Sequence, residues 1–195
     1  MIVYLHGFRS SPQSFKARLI EARMQAVGRA SEYLCPQLSE RPALAVAAVL
    51  ALTQIMDARH LTLVGSSLGG FYATWLAERL GCRAVLLNPA LRAHEKLGRH
   101  VGTQTAYHDA ATSFEFHAAY LDELRALHVE AITQPERYFL VAATGDEVLD
   151  WREMVAAFPG ARHKVIQGSD HGLSDFANSI DEVMAFAEGI APTLR

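Results

Sequence analysis

This sequence carries the stretch Leu61-Thr62-Leu63-Val64-Gly65-Ser66-Ser67-Leu68-Gly69-Gly70, in which an apolar run passes directly into glycine and serine. The run from Leu61 to Val64 predicts a buried strand, and residues 71–80 predict a helix. The Gly-x-Ser-x-Gly pattern between them is typical of a sharp turn that lifts one serine above the edge of a sheet. Its spacing selects Ser67 and makes Ser66 the intervening residue. The simpler alternative is a serine that only caps the following helix.

Short apolar segments alternate with helical patterns on both sides of that stretch. The predicted strands are residues 2–5, 33–35, 61–64, 84–87, 138–143 and 164–166. The predicted helices are a segment between Ser14 and Gly28 and residues 43–56, 71–80, 117–127, 151–158 and 175–186. Strands that alternate with helices form a parallel sheet with helices on both faces. The sequence therefore predicts an α/β fold with about six mainly parallel strands.

Residues 91–137 interrupt this alternation. The segment mixes histidines, glycines, threonines and aromatic residues, and only residues 117–127 have a clear helical pattern. It is too long for a simple crossover, and long connections in compact domains are usually functional. We expect a single domain over residues 1–195, with residues 91–137 inserted as a small helical cap or lid.

A serine hydroxyl needs a neighbouring base, and histidine suits this role because its unperturbed pKa, about 6.5, is close to working pH. His171 is the candidate, since it follows the last predicted strand in Gly168-Ser169-Asp170-His171-Gly172. In a parallel sheet this loop lies at the same carboxyl edge as the loop that contains Ser67. His6 also follows a strand, and we interpret it as a structural residue. The other histidines are interpreted as surface or insertion residues: His60, His94, His100, His108, His117, His128 and His163.

The carboxylate that orients this base is expected at the end of a third strand. Thr144-Gly145-Asp146-Glu147-Val148-Leu149-Asp150 follows the fifth predicted strand. Asp146 is favoured because it comes directly after the glycine, whereas Asp150 is placed to cap the next helix. Asp170 adjoins His171, but adjacent side chains in an extended loop usually diverge.

Negative charge that develops on a substrate carbonyl needs fixed hydrogen-bond donors. One expected donor is the backbone N–H of Leu68, which follows Ser67 at the start of a helix. The other is expected from the loop His6-Gly7-Phe8, at the N–H of Phe8. These two N–H groups form the predicted oxyanion hole.

The composition limits the partners that the chain is expected to have. It has 195 residues, a formal net charge of −3 and no lysine- or arginine-rich block, so nucleic acid is not expected. Its two cysteines, Cys35 and Cys82, are too few for a disulfide framework and are predicted to be reduced core thiols. No signal-peptide pattern and no apolar segment of about 20 residues is seen, so we expect a cytoplasmic protein with no membrane partner.

Two further patterns have competing interpretations. The stretch from His94-Glu95 to His100 lacks the spacing of a His-Glu-x-x-His zinc site, so a solvated lid is favoured and no metal is expected. Phe114, Phe116 and Tyr120 either line an acyl pocket or pack the insertion onto the sheet.

Several motifs together resemble the α/β-hydrolase superfamily and, more narrowly, the small YqiA/YcfP-like bacterial esterases. They are Leu5-His6-Gly7-Phe8, Gly65-Ser66-Ser67-Leu68-Gly69-Gly70, Leu87-Asn88-Pro89-Ala90, Thr144-Gly145-Asp146-Glu147-Val148-Leu149-Asp150 and Asp170-His171. The resemblance implies an α/β-hydrolase fold with a reduced sheet, ester or thioester hydrolysis, and no metal or organic cofactor. The sequence differs from that family mainly in the insertion and in Gly172-Leu173-Ser174, which leaves the acyl specificity open.

The sequence therefore predicts a serine hydrolase that cleaves carboxylic esters or thioesters with short to medium acyl groups. The predicted triad is Ser67, Asp146 and His171, which is the chain order of α/β-hydrolases, and the predicted partner is a small-molecule acyl ester or thioester. The enzymatic alternative is an acyltransferase, in which another alcohol or thiol replaces water. The non-enzymatic alternative is a binding module that keeps the scaffold without turnover. The oligomeric state stays open.

Overall fold

The computed structural model of the chain describes residues 1–107, 109 and 111–189. Its strands are β1 (Ile2–Leu5), β2 (Tyr33–Leu34), β3 (Thr62–Ser66), β4 (Arg83–Leu87), β5 (Gly102–Thr105), β6 (Ser113–Phe116), β7 (Tyr138–Ala143) and β8 (Arg162–Ile166). Its α-helices are α1 (Phe15–Ala26), α2 (Pro42–Thr53), α3 (Leu68–Leu80), α4 (Ala93–Lys96), α5 (Ala119–Ala126), α6 (Trp151–Ala157) and α7 (Ile180–Ala187).

Six of the strands form one sheet in the order β2-β1-β3-β4-β7-β8. Every neighbouring pair is parallel, so all six carboxyl ends meet at one edge. The register pairs Leu5 with Gly65 and Ser66 with Leu87, which puts the ends of β1, β3 and β4 side by side. The predicted α/β fold with about six mainly parallel strands is confirmed.

The four central strands of this sheet, β1, β3, β4 and β7, are buried on both faces, because helices cover each face. Alternate residues of β1 and β3 point to opposite faces, as the two-residue period of a strand requires. Val3, Leu5 and Leu63 pack with α2 and α3, whereas Tyr4 and Val64 pack with α1 and α7. The two resulting cores make the sheet a rigid platform for the loops at its carboxyl edge.

Residues between β4 and β7 contain more strand structure than the sequence indicates. After α4, strands β5 and β6 form a separate antiparallel hairpin, and α5 follows it. Phe114 and Phe116 alternate with polar residues, and Phe116 is fully buried, so the hairpin is held by one apolar face. The side chain of Glu123 in α5 joins this segment to α2, since it accepts hydrogen bonds from Arg41 Nε at 2.7 Å and from Ala43 N at 3.0 Å.

The ends of the helices largely follow the sequence signals. Pro42 occupies the first position of α2, and Gly81 ends α3 with a positive φ of 74°, a conformation that glycine adopts easily. Ser14 precedes α1, but its side chain makes no capping hydrogen bond. Within the described residues, none of the helices has both the length and the apolar composition needed to cross a lipid bilayer.

Candidate active site

Ser67 lies in the sharp turn between β3 and α3, with φ 54° and ψ −119°. The turn is possible because the two positions that flank it, Gly65 and Gly69, have no side chains. A Cβ on Gly65 would lie 2.2 Å from the carbonyl oxygen of Gly69, and a Cβ on Gly69 would lie 1.9 Å from that of Leu5. The Gly-x-Ser-x-Gly pattern therefore fixes the close approach of α3 to the sheet and holds Ser67 in a strained backbone conformation.

His171 lies in the loop after β8 and points its imidazole at Ser67. The distance between His171 Nε2 and Ser67 Oγ is 3.0 Å, which is a hydrogen bond. The imidazole is partly accessible, with 21% of its side chain exposed, so a ligand can reach the pair. The two residues are 104 positions apart in the chain and meet because their strands end at the same edge of the sheet.

Asp146 completes this line of hydrogen bonds from the loop after β7. Its Oδ2 is 2.8 Å from His171 Nδ1, and its side chain is completely buried. The other carboxylate oxygen, Oδ1, accepts hydrogen bonds from the backbone N–H groups of Val148 and Leu149, each at 2.8 Å. Because the carboxylate needs an N–H donor, Nδ1 of His171 carries the proton and Nε2 is left free to accept one from Ser67.

The two competing aspartates have other partners. Asp150 caps α6, since its Oδ1 accepts a hydrogen bond from Arg152 N at 2.8 Å. Asp170 Oδ1 accepts from Ser174 N at 2.9 Å, and this backbone hydrogen bond lowers the pKa of Asp170. Of the three, the structure brings Asp146 to the His171 ring.

Asn88 connects the chain segments that lead to Asp146 and His171. It is fully buried at the end of β4, in a positive-φ conformation of 42°. Its Nδ2 donates to the carbonyl oxygens of Asp170 and His171 at 3.0 and 3.2 Å, and its Oδ1 accepts from Ala143 N at 2.9 Å. Sequence reasoning did not assign this role, although the position of an asparagine directly after a strand end was an available signal.

Two charged side chains hold the backbone on either side of the base. Glu147 accepts a hydrogen bond from the backbone N–H of His171 at 3.0 Å, and the ammonium group of Lys16 donates to the carbonyl of Gly172. Lys16 comes from α1 and is buried, and this burial lowers its pKa to about 8 against the opposing effect of nearby carboxylates. Neither contact was predicted from the sequence.

The residues of the two predicted oxyanion donors, Phe8 and Leu68, line the same cavity as Ser67. A Cβ on Gly7 would be only 3.3 Å from Ser67 Cβ, so the loop before Phe8 passes directly over the serine. In the part of the chain that the structure describes, the backbone N–H groups of Phe8 and Leu68 have no hydrogen-bond acceptor. His6 shapes this loop, since its Nε2 accepts from the backbone N–H of Leu38 at 3.1 Å.

A cavity of about 310 Å³ opens at Ser67 and His171. Phe8 and Leu68 line it, and so do residues of the segment 93–107. A second cavity of about 230 Å³ also borders Phe8 and Leu68, and neither Ser67 nor His171 is among its described lining residues. The two predicted oxyanion donors thus border both cavities.

The three aromatic residues that are candidates for an acyl pocket form a cluster with Phe8. The Phe8 ring is 5.2 Å from that of Phe116 and 5.8 Å from that of Phe114, and Tyr120 packs on Phe116 at 5.5 Å. Phe114 lines the second cavity, while Phe116 and Tyr120 are absent from the described lining of either cavity. Their packing role is therefore visible, and substrate contact by the three stays a prediction.

The structure describes both cysteines and every histidine except His108. No group of three or more histidine, cysteine or acidic side chains in the described ranges is arranged to hold a metal ion. His94 packs on His128 at a ring distance of 5.7 Å. Cys35 and Cys82 are free thiols whose pKa values are raised by burial to about 11 and about 12. His108 lies outside the described residues.

Comparison with solved structures identifies the same fold in proteins of low sequence identity. A candidate hydrolase from Agrobacterium vitis S4 is 18% identical with a TM-score of 0.74, and 96% of this chain and 87% of that chain are covered. Mouse alpha/beta hydrolase domain-containing protein 10 is 16% identical with a TM-score of 0.70, over 94% and 88% of the two chains. Est1E from Butyrivibrio proteoclasticus, solved with ferulic acid bound, is 17% identical with a TM-score of 0.70, over 94% and 87%. At these identities the likeness is one of fold.

The model of a protein family matches almost the whole chain. It covers residues 1–188 and is described as Uncharacterised protein family (UPF0227). The predicted resemblance is thereby confirmed: the chain belongs to the UPF0227 family, and it has the α/β-hydrolase fold.

Proposed function

We propose that the protein is a serine hydrolase that cleaves carboxylic esters or thioesters with short to medium acyl groups. The observation that carries the proposal is the unbroken line from Ser67 Oγ to His171 Nε2 at 3.0 Å and from His171 Nδ1 to Asp146 Oδ2 at 2.8 Å. A nucleophile, a base and an orienting carboxylate in this arrangement are what acyl transfer through a serine requires. We further propose that residues 1–195 form one domain, in which residues 91–137 act as the cap.

In the first half of the reaction, His171 Nε2 takes the hydroxyl proton while Ser67 Oγ attacks the carbonyl carbon. The N–H groups of Phe8 and Leu68 would stabilise the resulting oxyanion, and each such donor is typically worth about 10²–10³ in rate. The buried carboxylate of Asp146 holds the imidazole in the required tautomer and stabilises its protonated form. The ester or thioester bond then breaks, and His171 gives the proton to the leaving alcohol or thiol.

In the second half, water enters where the alcohol or thiol has left. His171 takes a proton from that water, which attacks the carbonyl carbon of the acyl-enzyme. The bond to Ser67 Oγ breaks, the proton returns to the serine, and the carboxylic acid is released. The size of the cavity, about 310 Å³, favours acyl groups of short to medium length.

Replacement of the nucleophile tests the proposal. Ser67→Ala should lower kcat/KM for a short-chain p-nitrophenyl ester by at least about 10⁴-fold, because no other group can form the acyl-enzyme. The neighbouring Ser66→Ala, in the same motif, should retain most of the activity. If the Ser67→Ala protein keeps its activity, Ser67 is not the nucleophile.

The acyltransferase alternative is separated from hydrolysis by following the products. Adding an acceptor alcohol to the assay should leave free acid as the main product of a hydrolase. Predominant transfer of the acyl group to the alcohol would favour the transferase instead.

A further inference from the structure

The charged side chains that line the cavity at Ser67 all have the same sign. Its lining contains the cationic side chains of Lys16, Lys96 and Arg99, together with His100. Among the described residues that line it, none is an aspartate or glutamate. A cleft lined with charges of one sign concentrates ligands of the opposite sign.

Lys16 does not account for this charge, because its ammonium group already has partners. It donates to the carbonyl of Gly172, and the carboxylates of Asp170 and Asp146 act on it favourably. Its role in the fold is to hold the loop of the base. The positive charge that is open to a ligand therefore comes from the insertion.

Lys96 and Arg99 have no carboxylate within ion-pair distance in the described part of the chain. This is unusual for the surrounding segment, since Arg92, at the start of the same segment, pairs with both Glu95 and Glu153. Both Lys96 and Arg99 are exposed, so a ligand in the cavity can reach them.

Arg99 is also held in place beside the oxyanion donors. Its Nε donates to His100 Nε2 at 3.2 Å, and the His100 ring packs on Phe8 with centroids 5.6 Å apart. Burial lowers the pKa of His100, and the charges of Arg99 and Arg9 act in the same direction, against the opposing effect of a hydrogen bond with Gln104. A lowered pKa favours the neutral ring, which can accept the bond from Arg99. The guanidinium group is thus hydrogen-bonded to a ring that packs on Phe8, the residue whose N–H is expected to bind the oxyanion.

We propose that the substrate cleaved at Ser67 carries an anionic group, on its acyl chain or on its alcohol or thiol, that pairs with Lys96 and Arg99. This inference rests on the proposed hydrolase function and narrows its substrate class. Arginine and lysine are the side chains that bind carboxylate and phosphate groups, and arginine can do so with two parallel hydrogen bonds. The apolar side chains of Leu97 and Leu149 would cover the remainder of the ligand.

Two pairs of esters test this proposal and locate the anion. The acyl arm compares p-nitrophenyl hydrogen adipate with the neutral p-nitrophenyl heptanoate, with spontaneous hydrolysis subtracted. The leaving-group arm compares 4-butanoyloxybenzoate with 4-butanoyloxybenzamide. We expect the wild-type protein to have the higher kcat/KM for the anionic ester in one arm, and added salt to reduce that preference because it screens exposed charges.

The double variant Lys96→Gln/Arg99→Gln should lower this anionic-to-neutral ratio of kcat/KM about tenfold, since each exposed ion pair contributes up to about a factor of five. The matched control, Arg92→Gln/Arg125→Gln, removes the same charge from residues outside the cavity and should leave the ratio unchanged. Two results would overturn the proposed substrate class and leave the hydrolase function intact. One is hydrolysis with no preference for the anionic ester in either arm. The other is an anionic-to-neutral ratio of kcat/KM in the double variant that equals that of the wild type. Absence of Ser67-dependent hydrolysis of all four esters overturns the proposed function itself.

Discussion

Asp146 has a completely buried carboxylate whose two oxygens have different partners. Oδ1 is fixed by two backbone N–H groups at 2.8 Å, and Oδ2 is left to the ring of His171. This division of partners explains why the aspartate directly after Gly145 bonds to the His171 ring, whereas Asp150, four positions later, caps a helix.

Replacement of this carboxylate by an amide should separate its role from that of its neighbour. Asp146→Asn is expected to lower kcat by about 10³–10⁴-fold, because an amide stabilises neither the required tautomer nor the protonated imidazole. The matched control is Asp150→Asn, which keeps a good capping residue and should retain activity. Steady-state kinetics on a p-nitrophenyl ester measures both. Equal activity of Asp146→Asn and the wild-type protein would contradict the assignment.

The buried ammonium group of Lys16 leads to a second prediction, which concerns how the free energy of unfolding depends on pH. Burial lowers its pKa from 10.5 to about 8, so between these pH values the unfolded chain holds a proton that the folded protein has lost. The free energy of unfolding of the wild type, relative to Lys16→Met, should therefore rise from pH 8 to pH 10.5. A shift of this size corresponds to about 3 kcal/mol.

Urea unfolding of both proteins at several pH values measures this difference. Arg18→Met is the matched control, because it removes an exposed cation from the same helix and should give a difference that does not change with pH. A constant difference for Lys16→Met over the same range would show that the lysine is not held in a desolvated site.

The three residues of the proposed triad could be predicted to lie together from the sequence, because each follows a strand of a parallel sheet and all such ends meet at one edge. Asn88 satisfies the same condition, yet its role was missed. Its function depends on hydrogen bonds to the main chain of Asp170, His171 and Ala143, and main-chain partners leave no side-chain pattern in the sequence.

Helix α3 approaches the sheet more closely than side chains normally permit. The contact is possible because Gly69 faces the end of β1, where an added Cβ would lie 1.9 Å from the carbonyl oxygen of Leu5. The same contact places the start of α3 against the loop that contains Phe8, since the added Cβ would also lie 2.7 Å from the carbonyl oxygen of His6. The predicted oxyanion hole thus depends on the position of α3 against the sheet.

Gly69→Ala should disturb this contact strongly. We expect the free energy of unfolding to fall by about 3 kcal/mol, at the upper end of what added atoms cost in a packed core. Chemical denaturation measures the loss. Gly98→Ala is the control, since an added Cβ there would meet only Leu121 at 3.9 Å. Similar stabilities for the two variants would contradict the account of the turn.

The hairpin of β5 and β6 is the element that the sequence analysis did not predict. Its strands are only four residues each, and the apolar pattern is limited to Phe114 and Phe116 on one strand. The partner strand, Gly102–Thr105, is polar and follows a short helical segment. The two-residue alternation around the phenylalanines was a usable signal, but it covers only four residues and lies directly before the helical pattern of residues 117–127.

For the whole molecule, one parallel sheet explains why residues 67, 146 and 171 meet. The loops after β3, β7 and β8 leave the same edge, and Asn88 at the end of β4 joins two of them. The segment between β4 and β7 lies over this edge and supplies the exposed cations of the cavity. The fold thus follows from the alternation of strands and helices, whereas the proposed substrate class rests on an insertion whose placement the sequence does not specify.

Labelling with a fluorophosphonate probe tests most directly whether Ser67 is an activated nucleophile. We expect a single covalent adduct on the native protein, mapped by mass spectrometry to Ser67 and absent after denaturation or in Ser67→Ala. A native, folded protein that takes up no probe, or one that carries the label on a different residue, would show that Ser67 is not the activated nucleophile.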